Sequence, residues 1–230
     1  MGRMSPTPDA VFTPTARVRG TLAVVAGRDE TAAVYDRFGA RLSADGYTVG
    51  VFTDADAVGA AAWLGARPEG PRVLVGSDTG AAAVLQALTR GDDADAAIVA
   101  GVAVDVEHSP TDAERTACPV HLGVLAAQQV VDTASAAVSL PPTADLAAIA
   151  VPVLAVHGGA DPVSPFASAV ATLGAIPDVE IVETVDGLHD ALNDASHRSV
   201  AASIVLWLER LRGGDVHAPV VRAVTERTGA

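Results

Sequence analysis

The chain has 230 residues, half of them hydrophobic but only 3% aromatic, with a formal net charge of −13. It holds one cysteine and no lysine, so its fixed positive charges are all arginine. These values fit a single α/β domain with an aliphatic core, and they argue against a nucleic-acid groove, an anionic membrane surface and an internal disulfide framework.

Residues 1–15 carry three prolines and little periodicity, and they read as a loose leader. Met1 to Pro8 lacks the apolar stretch of a secretory signal, and no later run approaches membrane-spanning length. The expected setting is therefore the cytoplasm, and the expected partner is a small molecule, with no cofactor or metal and with the oligomeric state open. The Ala, Arg and Gly bias without lysine points to a G+C-rich bacterial genome.

The apolar run at 18–26 predicts a buried strand, followed by a turn at Gly27-Arg28-Asp29-Glu30. Val34, Phe38 and Leu42 recur every four residues and predict a helix over 31–44. A strand at 47–53, a short Ala-rich helix at 54–64, a turn at 68–71 and a strand at 72–75 follow. After a helix at 79–89 and a buried strand at 96–104 the alternation breaks. Residues 105–149 hold two histidines, the cysteine and four prolines, with a helix expected at 122–138. Strand 151–157, helix 166–174, strand 179–184 and helix 195–211 restore the alternation, and 213–230 reads as a polar tail. Strands alternating with helices predict a mostly parallel sheet with ligands at the carboxyl ends of its strands.

The informative stretch is Val73-Leu-Val-Gly-Ser-Asp-Thr-Gly-Ala-Ala-Ala83. An apolar strand runs into Gly76, a helix follows, and G-x-D-x-G lies between them. That is the strand–turn–helix setting of a nucleophile elbow, with aspartate at its centre. Strand and helix approach so closely there that the flanking positions need glycine. Gly76 and Gly80 fill those positions only if Asp78 is central; with Ser77 central they would be Val75 and Thr79. The bland alternative is that Asp78 is a helix N-cap.

The order Asp78, Asp161, His189 is the order nucleophile, acid, histidine of the α/β-hydrolases. The segment Val151 to Pro165 resembles that superfamily's strand-then-acid segment, Gly187 to Asp194 its histidine loop, and Gly27 to Asp54 the monoglyceride-lipase and serine-aminopeptidase branch. The G-x-D-x-G elbow resembles the epoxide hydrolases and haloalkane dehalogenases. The resemblance implies an α/β-hydrolase fold over about 18–212, with a short cap at about 105–149. It also implies a catalytic set of Asp78, His189 and Asp161, with the amides of Arg28 and Thr79 as oxyanion donors. Ser77 and His121 are expected substrate contacts, and Asp105 is the substitute acid.

A carboxylate attacking an sp³ carbon that bears a halide or an epoxide oxygen gives an ordinary ester, which a histidine-activated water then hydrolyses. The main expectation is thus a hydrolase with an Asp nucleophile. One alternative is a serine-type esterase acting through Ser77. Another is a binding protein or non-hydrolytic enzyme on a degenerate hydrolase fold. Bland readings stand beside these: Asp161 as a loop cap, His189 as a solvated loop histidine, and Cys118-Pro-Val-His121 as an incomplete metal half-site.

Overall fold

A computed structural model describes residues 6–53, 56–104, 109–128 and 139–222. Seven strands form one sheet: β1 (Ala10–Phe12), β2 (Gly20–Val25), β3 (Tyr47–Phe52), β4 (Arg72–Ser77), β5 (Ala96–Ala100), β6 (Val153–Gly158) and β7 (Val179–Thr184). Their order is β1-β3-β2-β4-β5-β6-β7. Only β1 runs antiparallel to its neighbour; the other five pairings are parallel. β2 lies centrally between β3 and β4, so the order reverses beside it, which is where such sheets place ligands.

The helices are α1 (Asp36–Ala44, preceded by a 3₁₀ turn at Ala32–Tyr35), α2 (Ala57–Gly65), α3 (Thr79–Thr89), α4 (Asp112–Arg115), α5 (Pro119–Ala127), α6 (Thr143–Leu146), α7 (Phe166–Leu173) and α8 (His197–Arg212). Side chains alternate across the strands and divide the core into two layers. Leu22, Val24, Val49, Val51, Val73, Val75 and Ile98 face α1 and α8, where Phe38, Leu42, Ile204, Trp207 and Leu208 complete the packing. Ala23, Val25, Leu74, Ala97, Val99 and Ala155 face α2, α3 and α7, with Trp63, Leu85 and Leu173. Alanines on that side of three central strands let helices sit close, which is how a core with few aromatic rings reaches native density.

The loose-leader reading of 1–15 misses β1. Ala10 pairs with Val51 and Phe12 with Val49, and Asp9 Oδ2 accepts from the amide and hydroxyl of Thr53 at 2.9 and 2.8 Å. Three residues are too few for a period-2 signal, and the pairing is set by the free edge of β3. The strand expected at 96–104 stops at Ala100, and the α5 helix starts earlier than expected because Pro119 occupies its first turn. Positions 129–138 of the expected cap helix lie outside the described residues, as do Asp105 and 223–230. In the tail, Val216 is buried against the α8 layer. At the other end of the sheet β7 is half-buried and, among the described residues, pairs only with β6. No helix among the described residues is long and apolar enough to cross a membrane.

Candidate active site

The elbow is built by a steric fit between β2, β4 and α3. β4 ends at Ser77, and Asp78 takes φ +48° and ψ −117° before α3 begins at Thr79. A non-glycine residue held there stores about 1–3 kcal/mol of backbone strain. The surrounding contacts hold it. The Asp78 amide donates to Ala100 O at 3.0 Å, and the two glycines let the turn close. A Cβ on Gly80 would lie 2.2 Å from Val25 O, and one on Gly76 would lie 2.4 Å from Gly80 O. Gly80→Ala is therefore expected to lower the unfolding free energy by at least about 1–3 kcal/mol; a urea titration measures it, and an unchanged midpoint would contradict the packing described.

The strained turn falls on Asp78, not on Ser77, which stays in strand register with Ala100 and is buried. Asp78 makes no side-chain cap on α3. Its carboxylate instead meets two other loops. His189, from the loop after β7, places Nε2 at 3.3 Å from Asp78 Oδ1. His189 Nδ1 stands 2.8 Å from Asp161 Oδ2, from the loop after β6. Asp161 is fully engaged: Oδ1 accepts from the amides of Val163 and Ser164, and Oδ2 also faces His157 Nε2 at 3.0 Å. The loop-cap role of Asp161 and its contact with His189 thus coexist on different oxygens. His189 is 1% exposed, which removes the solvated-loop reading.

Arg28, in the turn after β2, holds the other side of Asp78. Its Nε donates to Oδ2 at 2.7 Å, its Nη2 to Oδ1 at 2.9 Å, and its amide to Oδ2 at 3.1 Å. Among the described residues the Thr79 amide makes no hydrogen bond to the Asp78 carboxylate, and the Thr79 hydroxyl is buried without a hydrogen-bond partner.

These contacts set the protonation states. Burial works to raise the Asp78 carboxyl, but hydrogen bonds and charge from His189 and Arg28 hold it well below the usual carboxylate range. Asp161 is likewise held low, burial being outweighed by His157 and His189. Burial pulls the His189 imidazole down, yet Asp161 and Asp78 together push it up to about 9. At neutral pH the resting site is an imidazolium between two carboxylates, with a guanidinium on one of them.

Beneath this triad lies a second buried group that the sequence did not single out as a unit. Arg115 of α4 donates through Nε to Asp190 Oδ2 at 3.1 Å and through Nη2 to Glu30 Oε1. Tyr35 donates to Glu30 Oε2, and the Gly27 amide reaches the same oxygen at 2.9 Å. His121, expected to contact substrate, instead faces Asp190 with Nε2 at 2.7 Å and is 1% exposed. Its partner in the C-x-x-H spacing, Cys118, receives Arg37 Nη1 at 3.3 Å, so the two do not share a ligand. Glu30, His121 and Asp190 bring potential ligand atoms within 4.8 Å of one another, but Arg115 already pairs with both carboxylates. The group ties the Arg28 turn, helices α4 and α5 and the His189 loop together. Glu30, Arg115 and Asp190 come from three distant segments without a shared spacing; Glu30 and Asp190 lie in segments that carry the resemblance, and Arg115 in none of them.

A cleft of about 880 Å³ lies at the amino ends of the strands, lined by Arg17, Arg19, Asp45, Glu69 and Arg212. No triad residue lines it, so it is not the opening to this site.

No family model and no curated protein matches the sequence. Solved structures share the fold. A monoacylglycerol lipase from Paleococcus ferrophilus superposes with a TM-score of 0.67 at 17% identity, over 86% of this chain and 96% of that one. A soluble variant of monoglyceride lipase from Saccharomyces cerevisiae gives 0.71 at 13% identity, over 87% and 90%. An esterase from Exiguobacterium antarcticum gives 0.66 at 15% identity, over 90% and 100%. The chain has the α/β-hydrolase fold.

Proposed function

We infer that the protein is an α/β-fold hydrolase that attacks a small electrophile with the Asp78 carboxylate and hydrolyses the resulting ester through His189 and Asp161. The observation that carries this reading is the left-handed elbow residue: Asp78 is that residue, and its oxygen lies 3.3 Å from His189. In the first step an Asp78 oxygen forms a bond to an sp³ carbon, and the leaving group departs with the bonding pair. An ionised Asp78 is the state this step needs.

The second step needs His189 neutral, and the first step supplies that change. Esterification cancels the charge on Asp78, which is one of the two that hold the imidazole protonated. His189 then releases its proton and takes one from a water that adds to the ester carbonyl. The proton returns to the departing oxygen as the Asp78 carbonyl–oxygen bond breaks and the product alcohol leaves. Asp161 keeps Nδ1 protonated and the ring oriented. The Arg28 amide, already on Oδ2, is placed to stabilise the oxyanion of this step.

The test is intact-protein mass and peptide mapping of His189→Gln after exposure to epoxides, alkyl halides and activated esters. An alkyl adduct on Asp78 is expected, and Asp78→Asn should abolish turnover. Turnover that survives Asp78→Asn would sink the assignment.

A second reading has its own support. Several structural neighbours are named as lipases or esterases and one as a serine hydrolase, which favours ester substrates and a serine nucleophile. Ser77 is the hydroxyl beside the elbow, and labelling of Ser77 by a fluorophosphonate would move the protein to serine chemistry.

A further inference from the structure

The resting nucleophile is occupied. Arg28 Nε and Nη2 take one oxygen each of Asp78, the Arg28 amide takes Oδ2 again, and His189 faces Oδ1. Attack on carbon requires a lone pair aimed at that carbon, and a carboxylate has about four in its plane, two on each oxygen; Nε and the amide of Arg28 meet those of Oδ2, and Nη2 and His189 meet those of Oδ1. The fork must leave Asp78 before the proposed reaction can occur. Arg28 is also the outer partner of the pair: its side chain is 20% exposed, against 2% for Asp78. An incoming molecule meets the guanidinium first.

The chemistry of the incoming molecule decides whether the fork lets go. A neutral electrophile gives the guanidinium nothing in exchange for two charge-assisted hydrogen bonds. A molecule with its own carboxylate offers the same two-oxygen geometry, so one fork-to-carboxylate pair replaces another. We propose that Arg28 is a substrate-binding residue for small electrophiles that bear a carboxylate, and that the substrate's carboxylate draws the guanidinium off Asp78 and frees it to attack. The proposal rests on the reading of Asp78 as nucleophile. It gives the Arg28 side chain a task separate from that of its amide, which remains on Oδ2 when the fork swings away.

The chain's net charge of −13 does not conflict with an anionic ligand. Long-range repulsion slows approach, while the contact itself is decided by the guanidinium. Added salt should therefore speed association, the opposite of the usual effect on an attracted ligand.

Two experiments test the proposal. In the first, His189→Gln is treated with bromoacetate and with bromoacetamide, and each labelling rate is normalised to that of the reagent with free acetate. In the expected step an Asp78 oxygen bonds to the methylene carbon and bromide leaves with the electron pair. Bromoacetate should label Asp78 about tenfold or more faster than the amide, and Arg28→Gln in the same background should erase the preference. Equal or faster labelling by the amide overturns the proposal.

The second experiment needs no chemistry. Asp78→Asn leaves the guanidinium without its charged partner, so calorimetric titration with propionate should show binding at least about tenfold tighter than in the unaltered protein. Adding Arg28→Gln, with folding checked by circular dichroism, should remove it. Propionate binding that Arg28→Gln leaves unchanged, or no binding to folded Asp78→Asn, overturns the proposal. If neither bromo reagent marks Asp78 yet propionate binds through Arg28, the nucleophile assignment fails and the carboxylate site stands.

Discussion

Arg115→Ala is expected to destabilise the protein by about 3–5 kcal/mol, the cost of removing one partner from a buried ion-pair group. Arg115, Glu30 and Asp190 are each no more than 6% exposed. Burial and the nearby Asp190 charge already raise the Glu30 carboxyl, and Arg115 is the cation that opposes them. Without it two carboxylates are left facing each other away from water. The variant should answer by binding a proton. A buried acid whose folded pKa lies above its unfolded value adds stability as pH falls through the folded value, so the deficit should shrink from pH 8 towards pH 5. Glu30→Gln in the same chain should recover part of the loss. Chemical denaturation across that range measures both. A cost below about 1 kcal/mol without pH dependence would mean the group is wet or rearranged. Because the group holds the Arg28 turn to the His189 loop, Arg115→Ala should also loosen the geometry of the triad.

The second large effect concerns His189. Its folded pKa of about 9 stands above the ordinary value of 6.5. A raised imidazole stabilises fully below the unfolded value and ceases to do so as pH rises through the folded one. The protein should therefore lose about 3 kcal/mol of stability between roughly pH 6.5 and 9.5 through this group. His189→Gln should lack that slope. The depressed Asp78 and Asp161 describe the same couplings from the acid side: their contribution is present above the ordinary carboxylate range and fades as pH falls well below it. Imidazole NMR gives the direct check. His189 should titrate near 9 in the unaltered protein and fall towards the ordinary value in Asp78→Asn, where one anion is gone and Arg28 is left uncompensated. A value near 6.5 in both would remove the imidazolium from the resting site, and with it the proton release assigned to ester formation.

The sequence makes legible what is locally enforced. Gly76 and Gly80 announce the elbow because two backbones meet there, and the spacing alone centres it on Asp78. Asp161 and His189 follow from their places at strand ends. What escaped notice depends on side chains reaching across the fold. Arg28 was expected to lend its amide, and that amide is 3.1 Å from Asp78 Oδ2. Nothing in a Gly-Arg-Asp-Glu turn says that its guanidinium bends back onto a residue 50 positions on. Glu30 and Arg115 read as ordinary polar turn and cap residues, because burial of a charge shows only when its partner from another segment is known. His121 reads as a substrate contact only while its partner Asp190, in another segment, is not known. β1 was hidden by its length, since its pairing comes from β3 and not from a pattern of its own.

The two ends of the sheet are protected from self-association in different ways. At one end β1 lays three residues antiparallel along β3 and covers its outer hydrogen-bonding groups with a segment tethered to the same chain. A second copy would have to displace a strand whose effective concentration is far higher than its own. At the other end no strand among the described residues pairs with the outer side of β7, and its guard is chemical: the exposed Glu183 lies along it, while Glu180 is held by Arg210 at 2.8 Å. Two such edges brought together would set carboxylates against carboxylates, and the marked acidity of the whole chain adds to the repulsion. The negative charge expected to slow an anionic ligand on its way to Asp78 would thus also oppose the meeting of two sheets.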